Sequence, residues 1–244
     1  MAKEFTSILV GLKPVLDALQ KKSFSVDRVY IAKNRKNIQT IVELCKEHNV
    51  TYKFVPQEEL NKLYSGNHQG IIARISTIHF TPLENLLKTA CQKDFPLILA
   101  LDCVQDPQNI GSMVRTLVAF GGQGVIVPKD RSAFLGPGVV KSSAGAIYNI
   151  AVSKVVNLNR ALEQADFLGY HIYAGMPRAG TSLFECKLNK PAILVLGNEQ
   201  RGIRPGVLKR CQTLLTIPMP GQFESLNVAQ AAAIFMSEFL RQWS

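Results

Sequence analysis

The spacing of apolar positions changes character along the chain. Over residues 1–75 helical and strand spacings alternate. Val15, Leu16 and Leu19 predict a short amphipathic helix after Gly11, and Ile38, Ile41, Val42 and Cys45 predict a second. Residues 29–31, 51–55 and 71–75 read as strands, with turn chemistry in the Ser-Gly-Asn-His-Gln-Gly run of residues 65–70. These elements predict a small α/β sandwich. Residues 76–94 read as a connector with one helix, residues 83–91, after Thr81-Pro82. Beyond it the apolar positions come in short unbroken runs, at 97–101, 124–127, 150–152, 170–173, 193–196 and 214–217, with helical patterns between most of them. Unbroken runs indicate strands covered on both faces, hence a parallel sheet between helix layers. The expected division is a first domain over 1–76, a linker over 77–94 and a second domain over 95–244.

Three segments place polar residues where such a strand ends. The first is DPQNIGSMVRT, residues 106–116, after the run ending at Leu101. Asn109 reads as an N-cap. Ile110, Val114, Leu117 and Val118 share one face of the helix, and Arg115 falls on the exposed side beside Gly111 and Ser112. Arg115 is either a solvated surface residue or a phosphate ligand with space left by the glycine. The second is LVLGNEQRGI, residues 194–203, where the strand breaks at Gly197. The glycine would let a ligand approach the backbone, and Glu199 would orient it. Alternatively Glu199 only complements a helix N-terminus. The third is IPMPGQFESLNVAQAAA, residues 217–233, where a Pro- and Gly-bearing loop delivers Ser225 and Asn227 to a helix start. They are either caps or part of a binding wall. The helix that follows has two apolar stripes, Val228, Ala231, Phe235 and Phe239 beside Ala229, Ala233, Met236 and Leu240. Such a helix is covered on two sides, by the protein's own core or by a partner subunit.

Composition narrows the field. The chain has 244 residues, 47% hydrophobic and 19% charged, so it can bury a sizeable core. No run of about 18 apolar residues predicts a membrane span, and MAKEFTSILVGLK lacks the h-region of a secretory signal. The five cysteines are scattered without a CxxC, and neither they nor the four histidines show metal-ligand spacing. A reduced, cytoplasmic protein without a metal is expected. The net charge of +10 favours a polyanionic partner. Residues 1–80 carry 12 Lys and Arg against 7 Asp and Glu, and the remainder 16 against 11, so the shorter part is the more densely positive. Its cations include Lys33, Arg35 and Lys36 in the loop AKNRKN. GxxxxGK[ST], a GxGxxG after a strand, and GxSxG are all absent, which argues against P-loop, Rossmann and α/β-hydrolase sites.

Taken together the three segments resemble, in order, spacing and position at strand ends, the motifs of the SpoU (TrmH) family of RNA ribose 2'-O-methyltransferases in the SPOUT superfamily. VGLKPVLDAL, VYIAKNRK and HQGIIARIS in turn resemble that family's L30e/L7Ae-like substrate-binding domain. The nearest type is the bacterial 23S rRNA guanosine 2'-O-methyltransferases. The resemblance implies a trefoil-knotted parallel sheet with helices on both faces, an exception to the rule of unknotted chains, plus a small N-terminal α/β domain. It also implies S-adenosyl-L-methionine as cofactor, RNA as substrate and a homodimer through the C-terminal domain. By motif position it implies catalytic roles for Asn109, Arg115, Glu199, Ser225 and Asn227. Cofactor contacts would come from Gly175, Leu196, Gly197, Ile217, Met219 and Leu226. RNA contacts would come from Lys33, Arg35, Lys36, His68, Gln69 and Arg115. Ala229 and Gln200 depart from the Ser and Gly frequent in relatives, which touches the helix start and the loop shape. A tRNA substrate, or a non-catalytic RNA-binding protein on the same fold, are the competing expectations. A nucleotide-dependent oxidoreductase is disfavoured by the missing glycine fingerprint.

Overall fold

The computed structural model describes residues 8–21, 25–76, 78–178, 180–221 and 225–244. They form two compact units, Met1–His79 with Leu135–Pro137, and Phe80–Phe134 with Gly138–Ser244.

The first unit runs β1 (Ile8–Val10), α1 (Leu12–Lys21), β2 (Ser25–Ala32), α2 (Gln39–Glu47), β3 (Thr51–Val55), α3 (Gln57–Leu63) and β4 (Ile71–Ser76). Its sheet has the order β1-β4-β2-β3, with β2 and β3 parallel and the other pairs antiparallel. Alternate side chains divide between the faces, as the two-residue period of a strand requires. Val29, Ile31, Ile71 and Ala73 pack with Val15, Leu19, Ile41 and Cys45 of α1 and α2. Tyr30, Ala32 and Ile72 pack with Leu60 of α3. Both β1 and α3 are additions to the elements predicted from spacing. β1 has three residues, and α3 (QEELNKL) buries only Leu60, so neither carries a strong periodic signal.

The second unit runs α4 (Leu83–Ala90), β5 (Leu97–Asp102), α5 (Pro107–Ala119), β6 (Gly124–Pro128), α6 (Pro137–Ser142), a 3-10 turn (Ala146–Asn149), β7 (Ala151–Val155), α7 (Leu158–Phe167), β8 (His171–Met176), β9 (Thr181–Ser182), β10 (Ala192–Gly197), α8 (Pro205–Leu208), β11 (Thr213–Thr216) and α9 (Val228–Trp243). Its seven strands are all parallel, in the order β7-β6-β5-β10-β8-β11-β9. Ile98, Ala100, Ile126, Ile172, Ala174, Ile193 and Val195 face one layer, built by α4 and α7. On the opposite face α9 brings Phe239 against Tyr173, with ring centroids 5.3 Å apart. The segment expected to be a connector belongs to this unit. Phe80 bridges to Val152 beside β7, and Leu86, Leu87 and Ala90 of α4 are buried in the core. No helix among the described residues is long and apolar enough to cross a membrane.

Candidate active site

Strands β5 and β10 are neighbours at the centre of the sheet, yet the chain leaves them in opposite directions, β5 towards β6 and β10 towards β11. In open parallel sheets the crevice at the carboxyl ends of two such strands is where ligands bind. Asp102 and Gly197, paired in register, close these two strands, and all three polar segments meet here.

Asp106, not Asn109, caps α5. Its Oδ1 accepts from the Gln108 N–H at 2.9 Å, and Pro107 takes the first helical position, where a missing N–H costs nothing. Asn109 is the third helical residue, two places beyond Pro107, which frees its amide for tertiary contacts. Its Nδ2 donates to Glu199 Oε1 at 2.9 Å, and its Oδ1 accepts from Asn227 Nδ2 at 3.1 Å. Asn227 caps α9, its Oδ1 accepting from the Ala229 N–H at 2.8 Å. The result is a directed path from the α9 N–H through Asn227 and Asn109 to the Glu199 carboxylate. Each amide is oriented by its neighbours: a backbone donor at one end and a carboxylate at the other leave one consistent arrangement. Asn227 is therefore both a cap and a member of this hydrogen-bonded cluster. Ser225 is exposed in the preceding loop and makes no hydrogen bond to another described residue.

Arg115 is exposed, within two turns of Asn109 on the same helix, and its side chain makes no hydrogen bond or ion pair with another described residue. Gly111 does not leave it room for a ligand. It is buried under α6, and an added Cβ would sit 1.9 Å from Ser142 Oγ and 2.7 Å from the Ser143 nitrogen. Gly197 has a similar explanation. A Cβ there would come within 2.3 Å of the Gly202 carbonyl carbon and 2.4 Å of the Ile203 nitrogen, so the glycine admits the protein's own loop. That loop folds back through paired Asn198 and Gly202 backbones. Asn198 holds it further, donating to the Cys103 carbonyl at 3.0 Å and to Glu199 Oε2 at 3.2 Å.

The spacing of the sequence did not disclose the strongest polar anchor. Asp102 is fully buried and accepts from the Arg204 backbone N–H at 2.8 Å, from Arg204 Nε at 2.8 Å and from Nη2 at 2.6 Å. Arg204 ends the loop that carries Glu199, so this pair ties the loop to β5. The hydrogen bond to Asp102 holds the guanidinium still further towards its charged form. Burial, reinforced by the Asp102 charge, pushes the Cys103 thiol up. The signal lay in an aspartate ending an apolar strand, LILALD, because an unpaired carboxylate there could not stay buried.

The residues expected at the cofactor lie at adjacent strand ends. Leu196 is buried in β10. Gly175 in β8 lies opposite Leu215 of β11, its missing Cβ admitting Leu196 and Phe235. Ile217 and Met219 follow β11, and Leu226 is 37% exposed. In the first unit, Lys33 and Lys36 are exposed, and Arg35 donates through Nη1 to the Gln69 carbonyl. Gln69 is exposed with φ of +50°. His68 is only 3% exposed. Its Nδ1 accepts from the Gly70 N–H at 3.0 Å, which makes Nε2 the donor to Asn61 at 2.9 Å. It shapes the loop and offers no free ring nitrogen. No group of His, Cys, Asp and Glu suited to a metal ion occurs among the described residues.

Residues 96–237 match the model of the SpoU rRNA methylase family, and residues 8–81 that of RNA 2'-O ribose methyltransferase substrate binding. The chain is 34% identical over 241 residues to the 23S rRNA (guanosine-2'-O-)-methyltransferase RlmB of Pseudomonas syringae pv. tomato, covering 97% of this chain and 96% of the relative. It is 33% identical over 237 residues to a Bacillus subtilis protein named as a TrmH family tRNA/rRNA methyltransferase, covering 96% and 95%. A solved structure described as an RNA methyltransferase of the TrmH family from Porphyromonas gingivalis is 28% identical, with a TM-score of 0.57 over 96% of this chain and 89% of that one. The SpoU methyltransferase AviRb of Streptomyces viridochromogenes, solved with AdoMet, shares the fold, with a TM-score of 0.60, 23% identity and coverage of 96% and 89%. With a family model over more than half its length and relatives a third identical across nearly all of it, the chain belongs to the SpoU rRNA methylase family.

Proposed function

We propose that the protein transfers a methyl group from S-adenosyl-L-methionine to the ribose 2'-OH of a guanosine in 23S rRNA. The observation that carries this reading is the directed path Asn227–Asn109–Glu199 at the β5–β10 crevice, on the helix that presents an uncommitted Arg115. The relatives named as 23S rRNA methyltransferases support the choice of RNA.

The residues fit the cofactor. Met219 and the exposed Leu226 offer apolar surface for an adenine ring beyond the end of β11, with buried Leu196 and Ile217 behind them. Backbone groups near Gly197, Ile217 and Leu226 would meet its polar edge. When bound it supplies a methyl group on a sulfonium, electrophilic without a metal. Arg115 presents a planar fork of N–H donors, so it clamps the RNA phosphate beside the target ribose and stabilises the developing alkoxide. The proton passes to a phosphate oxygen or water. Asn109, Asn227 and Ser225 orient the ribose, and Glu199 acts by fixing Asn109, with which it bonds, not by holding Arg115.

A homodimer through α9 and a trefoil-knotted threading of the second unit belong to the same reading. For the dimer, Ala229, Ala233, Ile234 and Leu240 stay half-buried in the single chain, while Phe235, Met236 and Phe239 are buried. For the threading, the loop after β10 crosses the end of β5 and is held there by Asp102. A protein with this substrate works in the cytoplasm.

Ribose-methylation mapping of 23S rRNA and tRNA, with and without the protein, tests the reaction. A guanosine in 23S rRNA should lose its methyl group in the protein's absence; a change confined to tRNA would move the substrate, and no change in either would refute the reading. Calorimetry with S-adenosylhomocysteine should show binding, and NAD none. Arg115→Lys keeps the charge but loses the fork, and turnover close to normal would remove the phosphate-clamp role.

A further inference from the structure

The first unit contains a cleft of about 590 Å³, lined by three segments: residues 34–37 after β2, Gln57 and Asn61 of α3, and residues 66–70 before β4. This size is within the range of small-ligand sites, roughly 300–1,000 Å³. Its chemistry is unusual. Six lining side chains are carboxamides (Asn34, Asn37, Gln57, Asn61, Asn67 and Gln69), two are cations, Arg35 and Lys36, and none is a carboxylate.

Several features show that the cleft is built. Buried His68 forms part of its floor and holds both Gly70 and Asn61. Asn67 Oδ1 accepts from the Gln69 N–H at 3.2 Å. Three residues along its rim have backbones in the left-handed region, Asn37 (φ +57°), Gln69 (φ +50°) and Gly70 (φ +72°). For the two that are not glycine this conformation costs on the order of 1 kcal/mol or more, and such strain gathers at ligand sites. A Cβ at Gly70 would also be a tight fit, 3.3 Å from both Ala32 Cβ and Arg35 Cδ. Arg35 Nε is buried without a hydrogen-bond partner. The side chains of Asn34, Asn37 and Gln57 make no hydrogen bond to another described residue. Tyr64, 42% exposed, does not line the cleft but lies with its ring against Gly66, which does.

We propose that this cleft takes a single unpaired nucleotide of the RNA, splayed out of its strand. The claim rests on the reading of the protein as an RNA methyltransferase and adds how the small unit selects its substrate. A carboxamide carries a donor and an acceptor side by side, which matches the edge of a nucleobase. An unpaired base is the form in which RNA exposes that edge, because the deep groove of an A-form helix hides it. Arg35 and Lys36 meet the phosphate of the same nucleotide, and Tyr64 offers a stacking surface to the next base. A site for phosphate alone would need the two cations but not six amides.

The test uses the full chain and two 12-nucleotide probes, an unstructured single strand and the same sequence annealed to its complement, by fluorescence anisotropy at several salt concentrations. The variants are Asn34→Ala with Gln57→Ala, and Lys36→Ala, with thermal unfolding to confirm that each folds. The double variant should bind the single strand about tenfold more weakly, the loss of one good base-edge contact. Its salt slope and its duplex affinity should be unchanged. Lys36→Ala should lower the single-strand salt slope by roughly 0.7. Equal weakening on both probes, or a double variant within twofold of the parent, would overturn the nucleotide pocket. Failure of the parent itself to bind either RNA would instead count against the RNA-methyltransferase reading.

Discussion

Polar side chains gather in two places in this protein, and their hydrogen-bonding groups are in different states. At the carboxyl ends of the large sheet they bond to one another: Asn227 to Asn109, Asn109 to Glu199, Asn198 to Glu199, Arg204 to Asp102. In the cleft of the small unit, the side chains of Asn34, Asn37 and Gln57 have no partner among the described residues. A site for chemistry gains from groups that need no rearrangement when charge develops. A site that recognises a partner gains from groups whose bonds are still to be made. Two arginines repeat the contrast inside the large unit. Arg204 is committed to a buried carboxylate, whereas Arg115 is uncommitted.

The largest effect should come from Arg115→Ala. Removing a donor that acts on developing charge should lower single-turnover methylation by roughly 10²- to 10³-fold, while urea unfolding stays within about 0.5 kcal/mol, as for an exposed residue. A large stability loss would place Arg115 with the committed groups. Asp102→Ala should behave in the opposite way. It removes the acceptor of three hydrogen bonds from Arg204, whose side chain is 42% exposed, and the loss of such charge-assisted bonds costs about 2 kcal/mol, visible as a shifted urea midpoint in the free protein. An unchanged midpoint would mean that the loop is held by other contacts. Gly197→Ala should cost about 2 kcal/mol in the absence of any ligand, because its Cβ meets the Gly202 backbone. If stability were untouched and only cofactor binding fell, the glycine would serve ligand approach after all. The smallest effect is expected of Asn227→Asp, which keeps the capping oxygen for Ala229 but loses the donor to Asn109. Turnover should fall about tenfold, the worth of one hydrogen bond near 1.4 kcal/mol, with little change in melting temperature. Equal losses of activity and stability would reduce Asn227 to a cap.

The architecture could be read from the sequence because apolar spacing reports burial directly. All six unbroken runs became strands of the parallel sheet, with boundary shifts of a few residues at most; residues 150–152, for example, became Ala151–Val155. The elements missed were those with few buried residues, β1, α3 and the two-residue β9. The connector was misread because α4 is a single amphipathic helix, and spacing says that a helix has an apolar face but not which core covers it. In the site, the five polar residues stood out through their strand-end positions, but their connections did not. Asn109 resembled a cap because its neighbour Asp106 is the cap. Gly111 and Gly197 resembled ligand clearances because a glycine looks the same in sequence whether a ligand or the protein's own loop fills the space.

The sequence by itself determined the two-unit α/β plan and the three polar segments, since both depend on local periodicity and on residue type. Only the tertiary structure decided that Asn227 donates to Asn109 and Asn109 to Glu199, across separations of 118 and 90 residues, and that Asp102 anchors Arg204, 102 residues away. Such bonds follow from the order of strands in the sheet, which brings β5 beside β10. No local pattern encodes that neighbourhood, because it is set by how the whole core packs.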